Sequence, residues 1–141
     1  MTLALSQSFI DSKGTYNHAG SIKYFVEWFR SGRFSTTDWA WDIGTSTRIA
    51  LSIWKKDGEK DPEKAQRQIN ERLDKEGCSG NGSLMRISPV GLAMWKDPVE
   101  AGKRAREQST VTHPALACLE ACALYTELLC LVMAGRFSFI L

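Results

Sequence analysis

A glycine-rich segment, SGNGSLMRISPVG at residues 79–91, combines residue types that can hold an anion. Gly80 and Gly82 let the backbone approach a ligand closely. Successive backbone N–H groups before a helix start attract anions, and Arg86 can add a charge-assisted hydrogen bond. The Gly-Lys-Ser/Thr ending of a P-loop is absent. The alternative is a loop that only connects two helices, and the residue types alone favour that alternative.

A histidine stands beside a helix start in the segment TVTHPAL. The ring of His113 can donate or accept a hydrogen bond there, while Pro114 fixes the entry of the helix. The alternative is that Thr112 caps the helix and His113 is a partly exposed loop residue. A single histidine is weak support for catalysis.

A tryptophan-rich loop, DWAWDIGTS at residues 38–46, precedes another predicted helix. Asp42 can act in catalysis, but either Asp42 or Thr45 more often caps the helix that follows. Trp39 and Trp41 can stack on a base or a sugar. Such aromatic side chains more often fill the edge of a core.

The cysteines favour a structural role over a chemical one. They are Cys78, Cys118, Cys122 and Cys130. Three of them share one apolar helical run, and Cys118 and Cys122 are one turn apart, where a disulfide fits poorly. We interpret them as small buried side chains in a reducing compartment. The two histidines, His18 and His113, are too few to complete a cysteine–histidine metal site.

Length and composition indicate one globular domain, residues 1–141. The apolar share is 43% and the net charge is +2. Basic residues alternate with acidic ones, whereas nucleic-acid-binding proteins more often cluster them. The N-terminal residues lack the pattern of a targeting signal. The apolar run from Pro114 to Gly135 carries Glu120 and Glu127 on one helix face, which predicts a nearly buried core helix with one polar stripe. We therefore expect a cytosolic protein without a membrane segment.

The hydrophobic periodicity predicts helices almost throughout and no convincing strand, so the expected fold class is all-α. A short helix at Thr2–Ser12 is apolar on several sides and is expected to be buried. Two helices begin with an Asp-Pro pair, at Asp61 and Asp97, which is a good helix start. The remaining predicted helices are Ser21–Ser31, Thr45–Lys56 and a long one from Pro114 to Ala134, and the Asp61 helix should be peripheral, anchored by Ile69 and Leu73.

Several of these segments together resemble the ADP-ribosylglycohydrolase family, which includes the glycohydrolase that reactivates dinitrogenase reductase. SGNGSLMRISPVGLA is similar to its Asn-Gly-small-x-Met-Arg segment, and THP before CLEACALYTELL is similar to its next landmark. FVEWFRSGRFS, WDIGTSTRIAL and MTLAL resemble upstream family elements in the right order. The resemblance implies an all-α orthogonal helical bundle. It also implies an enzyme that removes ADP-ribose from modified side chains with the help of magnesium ions, usually a pair.

The resemblance further implies an ADP-ribose site. Residues that would line the diphosphate and the distal ribose are Gly80, Asn81, Gly82, Ser83 and Met85. Arg86 would brace the loop, and His113 would contact the ligand from the side. The partner would be ADP-ribose or an ADP-ribosylated substrate.

The sequence departs from the family in its metal ligands. Family members supply these from a Thr-Asp-Asp run just before the MTLAL helix, from a distant Asp-x-Asp-Thr run and from an upstream acidic residue. Neither run occurs in this sequence. Both ends resemble interrupted structure, with an uncapped helix at the start and the apolar tail RFSFIL at the end. We therefore expect an internal, inactive piece of the family domain, with possible self-association through exposed apolar faces. The alternative is a small helical interaction module without catalysis.

The missing acidic runs predict that magnesium does not bind tightly, because two hard cations need several oxygen ligands. A specific ligand raises the melting temperature as its concentration exceeds its dissociation constant. The melting temperature should therefore stay constant during a magnesium titration, compared with sodium chloride at matched ionic strength. A saturable rise at sub-millimolar magnesium would reveal an unrecognised metal site.

Overall fold

Helices make up all the regular structure in residues 1–136, the part of the chain described by the computed structural model. The α-helices are α1 (Thr2–Asp11), α2 (His18–Ser31), α3 (Thr45–Ile53), α4 (Pro62–Leu73), α5 (Ser88–Met94), α6 (Pro98–Thr110) and α7 (Leu116–Met133). A π-helical turn, Trp54–Gly58, continues α3, and two short 3₁₀ turns, Glu76–Cys78 and Leu84–Arg86, flank the glycine segment. The predicted all-α class is confirmed. Most of the predicted tail, RFSFIL, lies outside the described residues.

Side-chain capping explains where three of the seven α-helices in the described residues begin. Asn17 Oδ1 accepts a hydrogen bond from the Gly20 N–H at 2.8 Å, so α2 starts before the predicted Ser21. Asp61 and Asp97 cap α4 and α6 in the same way, as predicted from the Asp-Pro pairs. Gly32 ends α2 in the left-handed conformation that glycine adopts readily.

The core lies where α1, α2, α3 and α4 meet the loop before α5. Its largest apolar members with almost no exposed surface are Leu5, Phe25, Leu51, Ile69, Leu73, Ile87 and Val90. Trp54 joins this core to the end of α6 through a buried hydrogen bond from Nε1 to the Val111 carbonyl, 2.9 Å long. The predicted anchoring of α4 by Ile69 and Leu73 is confirmed.

The α6–α7 pair is the most extensive helix contact and corrects one prediction. Arg106 on α6 pairs with both carboxylate oxygens of Glu120 on α7, at 2.8 and 2.9 Å. Glu127 lies so close to Gly102 of α6 that a Cβ there would be 2.2 Å from its Oε1. Both glutamates therefore turn toward α6, and the predicted polar stripe on α7 is wrong.

The outward face of α7 is apolar instead. We call Leu124, Tyr125, Leu128, Val132 and Met133 the α7 face, because all five are exposed. Among residues 1–136, α7 alone is long and apolar enough to cross a membrane, with a mean hydropathy of 1.8, and only 28% of it is buried. Core helices of water-soluble proteins that pass the same test are mostly buried, and α7 is not, so the predicted nearly buried helix is wrong as well. A single helix of this kind is weak evidence for a membrane span.

Other predicted burial holds only in part. Helix α1 buries Ala4, Leu5 and Phe9 but leaves Leu3 and Ile10 exposed. Cys118, Cys122 and Cys130 are buried thiols, as predicted, while Cys78 is half-buried. Trp39 and Trp41 do not fill a core edge, because 61% and 52% of their surfaces are exposed.

The α7 face should bind a hydrophobic dye, since large exposed apolar patches mark interaction or aggregation sites. We expect a purified chain that is helical by circular dichroism, binds the dye, and melts broadly or self-associates. A Leu124→Glu, Leu128→Glu variant should lose most dye binding and keep its helicity, because both side chains are exposed.

Ser52→Glu, a charge added at an exposed position on α3, is the matched control and should bind as much dye as wild type. A monomer that melts in a sharp transition and does not bind the dye would contradict this account of the α7 face.

Candidate functional site

A cavity of about 500 Å³ lies between the start of α1, the loop before α3 and the glycine segment. Its size is within the range of small-molecule sites. Residues that line it include Met1, Thr2, Trp28, Asp42–Thr47, Gly77, Cys78, Gly80, Asn81, Gly82, Met85, Arg86 and His113. The cavity therefore brings together six of the seven site residues predicted from the sequence.

Close packing between the glycine segment and His113 forms one wall of the cavity. A Cβ at Gly82 would lie 2.8 Å from Cε1 and 3.0 Å from Nε2 of His113. A Cβ at Gly80 would lie 3.8 Å from the same Nε2. Residue 82 must therefore lack a side chain for the histidine to keep its place. Although separate in sequence, the glycine segment and the THP segment form one surface.

The glycine segment presents backbone donors to the cavity. Within residues 1–136, the N–H groups of Gly80, Asn81 and Gly82 make no backbone hydrogen bond. Ser83 differs from its neighbours, because its side chain is buried and points away from the cavity. Its Oγ lies 2.8 Å from Ser109 Oγ on α6, which in turn is 3.0 Å from the His113 carbonyl. Ser83 therefore fixes the loop, while the three residues before it line the cavity.

His113 is buried, with 3% of its surface exposed. The interpretation of His113 as an exposed loop residue is wrong, and Thr112 does not cap α7, which has Ala115 at its N-cap. Instead the Thr112 hydroxyl lies 2.8 Å from His113 Nδ1. Burial, and then the positive charge of Arg86, lower the pKa of His113 to about 4. The ring is therefore neutral at physiological pH, with Nε2 turned toward the glycine segment.

Arg86 is a buried cation beside the cavity, with 1% of its surface exposed. Its guanidinium donates to the side-chain oxygen of Gln108 and to the Gln108 carbonyl, the latter at 3.1 Å, and stacks over Phe25 at 4.4 Å. Gln108 Nε2 also donates to the Ser83 carbonyl at 3.4 Å, so the arginine braces the loop through Gln108.

No acidic side chain among residues 1–136 forms an ion pair with Arg86. Burial lowers the pKa of Arg86 to about 10, which still leaves it charged at neutral pH. A buried charge without a counterion is costly, and an anion in the adjacent cavity would offset that cost.

Asp42 is a cavity residue that the capping rule misassigned. Helix α3 begins at Thr45 with Gly44 as its N-cap and no side-chain cap, so neither Asp42 nor Thr45 caps it. Asp42 has a positive φ of 48° and is the one carboxylate among the described residues that line the cavity. The left-handed backbone at Asp42 would have distinguished it from a helix cap, but the sequence pattern does not reveal that conformation. Met85, 72% exposed, lines the mouth of the cavity.

The ADP-ribosylglycohydrolase family model matches residues 1–140. The chain belongs to the ADP-ribosylglycohydrolase family. A relative from Pseudomonas putida (strain GB-1), the ADP-ribosylarginine hydrolase Tri1, is 29% identical over 140 residues, which are 96% of this chain and 34% of the relative. The chain thus spans about a third of the length of the curated relative that it matches. No solved structure matches the chain.

ADP-ribosylglycohydrolases depend on metal ions, so the described residues can be compared with the ligands that such ions need. Residues 1–136 contain no group of three or more histidine, cysteine, aspartate or glutamate side chains that could hold a metal ion. Asp42 alone offers one carboxylate to the cavity. A hard divalent cation takes about six oxygen ligands, several of them from the protein or its substrate. The described residues therefore do not fit a magnesium pair, and no reaction step is assigned to metal in this chain.

The lowered pKa of His113 predicts acid sensitivity. Between pH 6.5 and about pH 4 the unfolded chain binds a proton that the folded chain excludes, so stability should fall as the pH falls through this window. Above pH 6.5 this group has no effect. His113→Asn should flatten the pH dependence of the free energy of unfolding, measured with urea. The Cε1–H chemical shift of wild-type His113 gives its pKa directly, and a midpoint near 6.5 would contradict the burial account.

Proposed function

We propose that this chain forms the ADP-ribose-binding part of a hydrolase that cleaves ADP-ribosyl linkages. The observation that carries the proposal is the single cavity where Gly80, Gly82, Arg86 and His113 meet. Family membership supplies the ligand class, and the geometry supplies a way to hold it. The ribose, the diphosphate and the base of ADP-ribose each need different contacts. The cavity residues offer contacts for a ribose and for the diphosphate.

The diphosphate would lie against the glycine segment. Three adjacent N–H groups without backbone partners, at Gly80, Asn81 and Gly82, favour negatively charged oxygens. The buried charge of Arg86 adds attraction from behind the loop, because no carboxylate in residues 1–136 pairs with it. Electrostatic attraction is stronger in such a water-poor site than in bulk water.

His113 would orient a ribose. Its neutral ring can either donate or accept a hydrogen bond at Nε2, according to the tautomer that the Thr112 hydroxyl favours at Nδ1. A neutral ring suits a sugar hydroxyl, which both donates and accepts. Met85 at the mouth would cover an apolar edge of the ligand.

Hydrolysis belongs to a longer protein in this proposal. The described residues lack a ligand set for magnesium, so this chain alone should bind but not cleave. The relative's name points to ADP-ribosylarginine, and we extend that substrate to the complete protein as a proposal. A cytosolic location remains part of the same proposal.

Calorimetry with ADP-ribose tests the binding site. Wild type should bind saturably, and Gly82→Ala should weaken binding about tenfold or more, equal to about 1.4 kcal/mol, because the new methyl group would displace the His113 ring. Glu76→Ala, which changes an exposed residue of the same loop that does not line the cavity, is the control. It should bind as wild type does.

Equal heats from wild type and Gly82→Ala, or none from either, would remove the assignment of ADP-ribose to this cavity. Circular dichroism on each variant separates lost binding from lost folding.

A further inference from the structure

A short stretch beside the cavity, residues 38–42 with the sequence Asp-Trp-Ala-Trp-Asp, has no role in the proposed ADP-ribose contacts. We call it the aromatic rim. Trp39 and Trp41 expose 61% and 52% of their surfaces. Tryptophan side chains are seldom this exposed unless they contact a partner. Two of them separated by one residue form an exposed aromatic surface of the kind that binds partners.

The residues between and after the indoles contact the core. Ala40 and Ile43 are partly buried against it, whereas Trp39 and Trp41, on either side of Ala40, are exposed. Both indoles therefore lie on the outside of the fold.

Contacts with the preceding residues support the start of the rim. The Asp38–Trp39 peptide lies against Gly32, where a Cβ would be only 2.1 Å away. The Thr37 hydroxyl donates to the Trp39 carbonyl at 3.1 Å. Asp38 and Asp42 have positive φ values of 58° and 48°, a conformation that non-glycine residues keep mainly where the surrounding structure enforces it.

The chemistry of the rim favours a guanidinium. Indole faces attract cations through their π electrons, and carboxylates bind guanidinium groups through two parallel hydrogen bonds. Neither Asp38 nor Asp42 forms an ion pair within residues 1–136. Arg33, the arginine closest to the rim in sequence, pairs with Glu27 and stacks on Tyr24 and Phe34. A stacked nucleobase would also use the indoles, and its amino group could donate to one carboxylate, but it lacks the positive charge that indole faces and two carboxylates favour.

We propose that the aromatic rim binds an arginine side chain of the substrate polypeptide. Asp42 and Ile43 line the cavity, so the rim adjoins it directly. The assignment rests on the proposed function, because a substrate arginine is brought to the rim by the ADP-ribose held in the cavity. Trp39, Trp41 and Asp38 would then favour arginine over other carriers of the modification.

Nuclear magnetic resonance of the indole N–H groups tests this assignment on the full chain. Trp39→Phe and Trp41→Phe variants identify the two rim signals. The probe is N-acetylarginine amide, and its neutral near-isostere N-acetylcitrulline amide is the control. We expect saturable shifts of both rim signals with the arginine probe and at least several-fold weaker binding of the citrulline probe. The signal of Trp54, which is buried, should not move.

Charge variants refine the test. Asp38→Asn should weaken the arginine probe several-fold, while Asp74→Asn, an exposed aspartate after α4, should not. Equal shifts with both probes, or no shift of the rim signals, would overturn the proposal. Rim shifts with adenosine but not with arginine would also overturn it, in favour of a base-stacking surface.

An ADP-ribose titration of the same samples separates the two claims. Loss of the arginine response with ADP-ribose binding intact would refute the rim alone. An arginine response at the rim in a chain that does not bind ADP-ribose would refute the cavity assignment and leave the guanidinium site in place.

Discussion

The guanidinium of Arg86 is the constraint around which the candidate site is organised. It is buried without a carboxylate partner among residues 1–136, so its position depends on the hydrogen bonds that it donates to Gln108 and on the Phe25 ring. Gln108 passes that support to the glycine loop through the Ser83 carbonyl. The same charge helps keep His113 neutral. An interior cation of this kind is costly for stability, and an anion in the adjacent cavity would offset that cost.

Local signals in the sequence predicted the helices well and the site only in part. The Asp-Pro starts of α4 and α6 depend on neighbouring residues alone, so they could be predicted from the sequence. The face of α7 could not, because Glu120 is drawn inward by Arg106 of another helix. The sequence also predicted Asp42 as a helix cap, because a prediction from neighbouring residues does not include the rest of the fold. Only the folded chain shows that Gly44 is the N-cap of α3 and that Asp42 lies at the cavity.

Resemblance and structure contribute different parts of the functional account. The family motifs pointed to Gly80, Gly82 and His113 as ligand contacts, and the packing of Gly82 against the His113 ring gives those positions a physical reason. The sequence motifs gave Ser83 the same role as its neighbours, whereas its buried hydroxyl ties the loop to Ser109. The chain spans about a third of the length of its curated relative, and the proposed function assigns only ligand binding to these residues.

Amide chemical shifts during an ADP-ribose titration test the central claim most directly. The account predicts that the N–H signals of Gly80, Asn81 and Gly82 and the ring signals of His113 shift together, with one dissociation constant. Signals from α4, which lies away from the cavity, should stay in place. Shifts confined to other parts of the chain, or no shift at saturating ADP-ribose, would contradict the claim that the braced glycine loop holds the diphosphate.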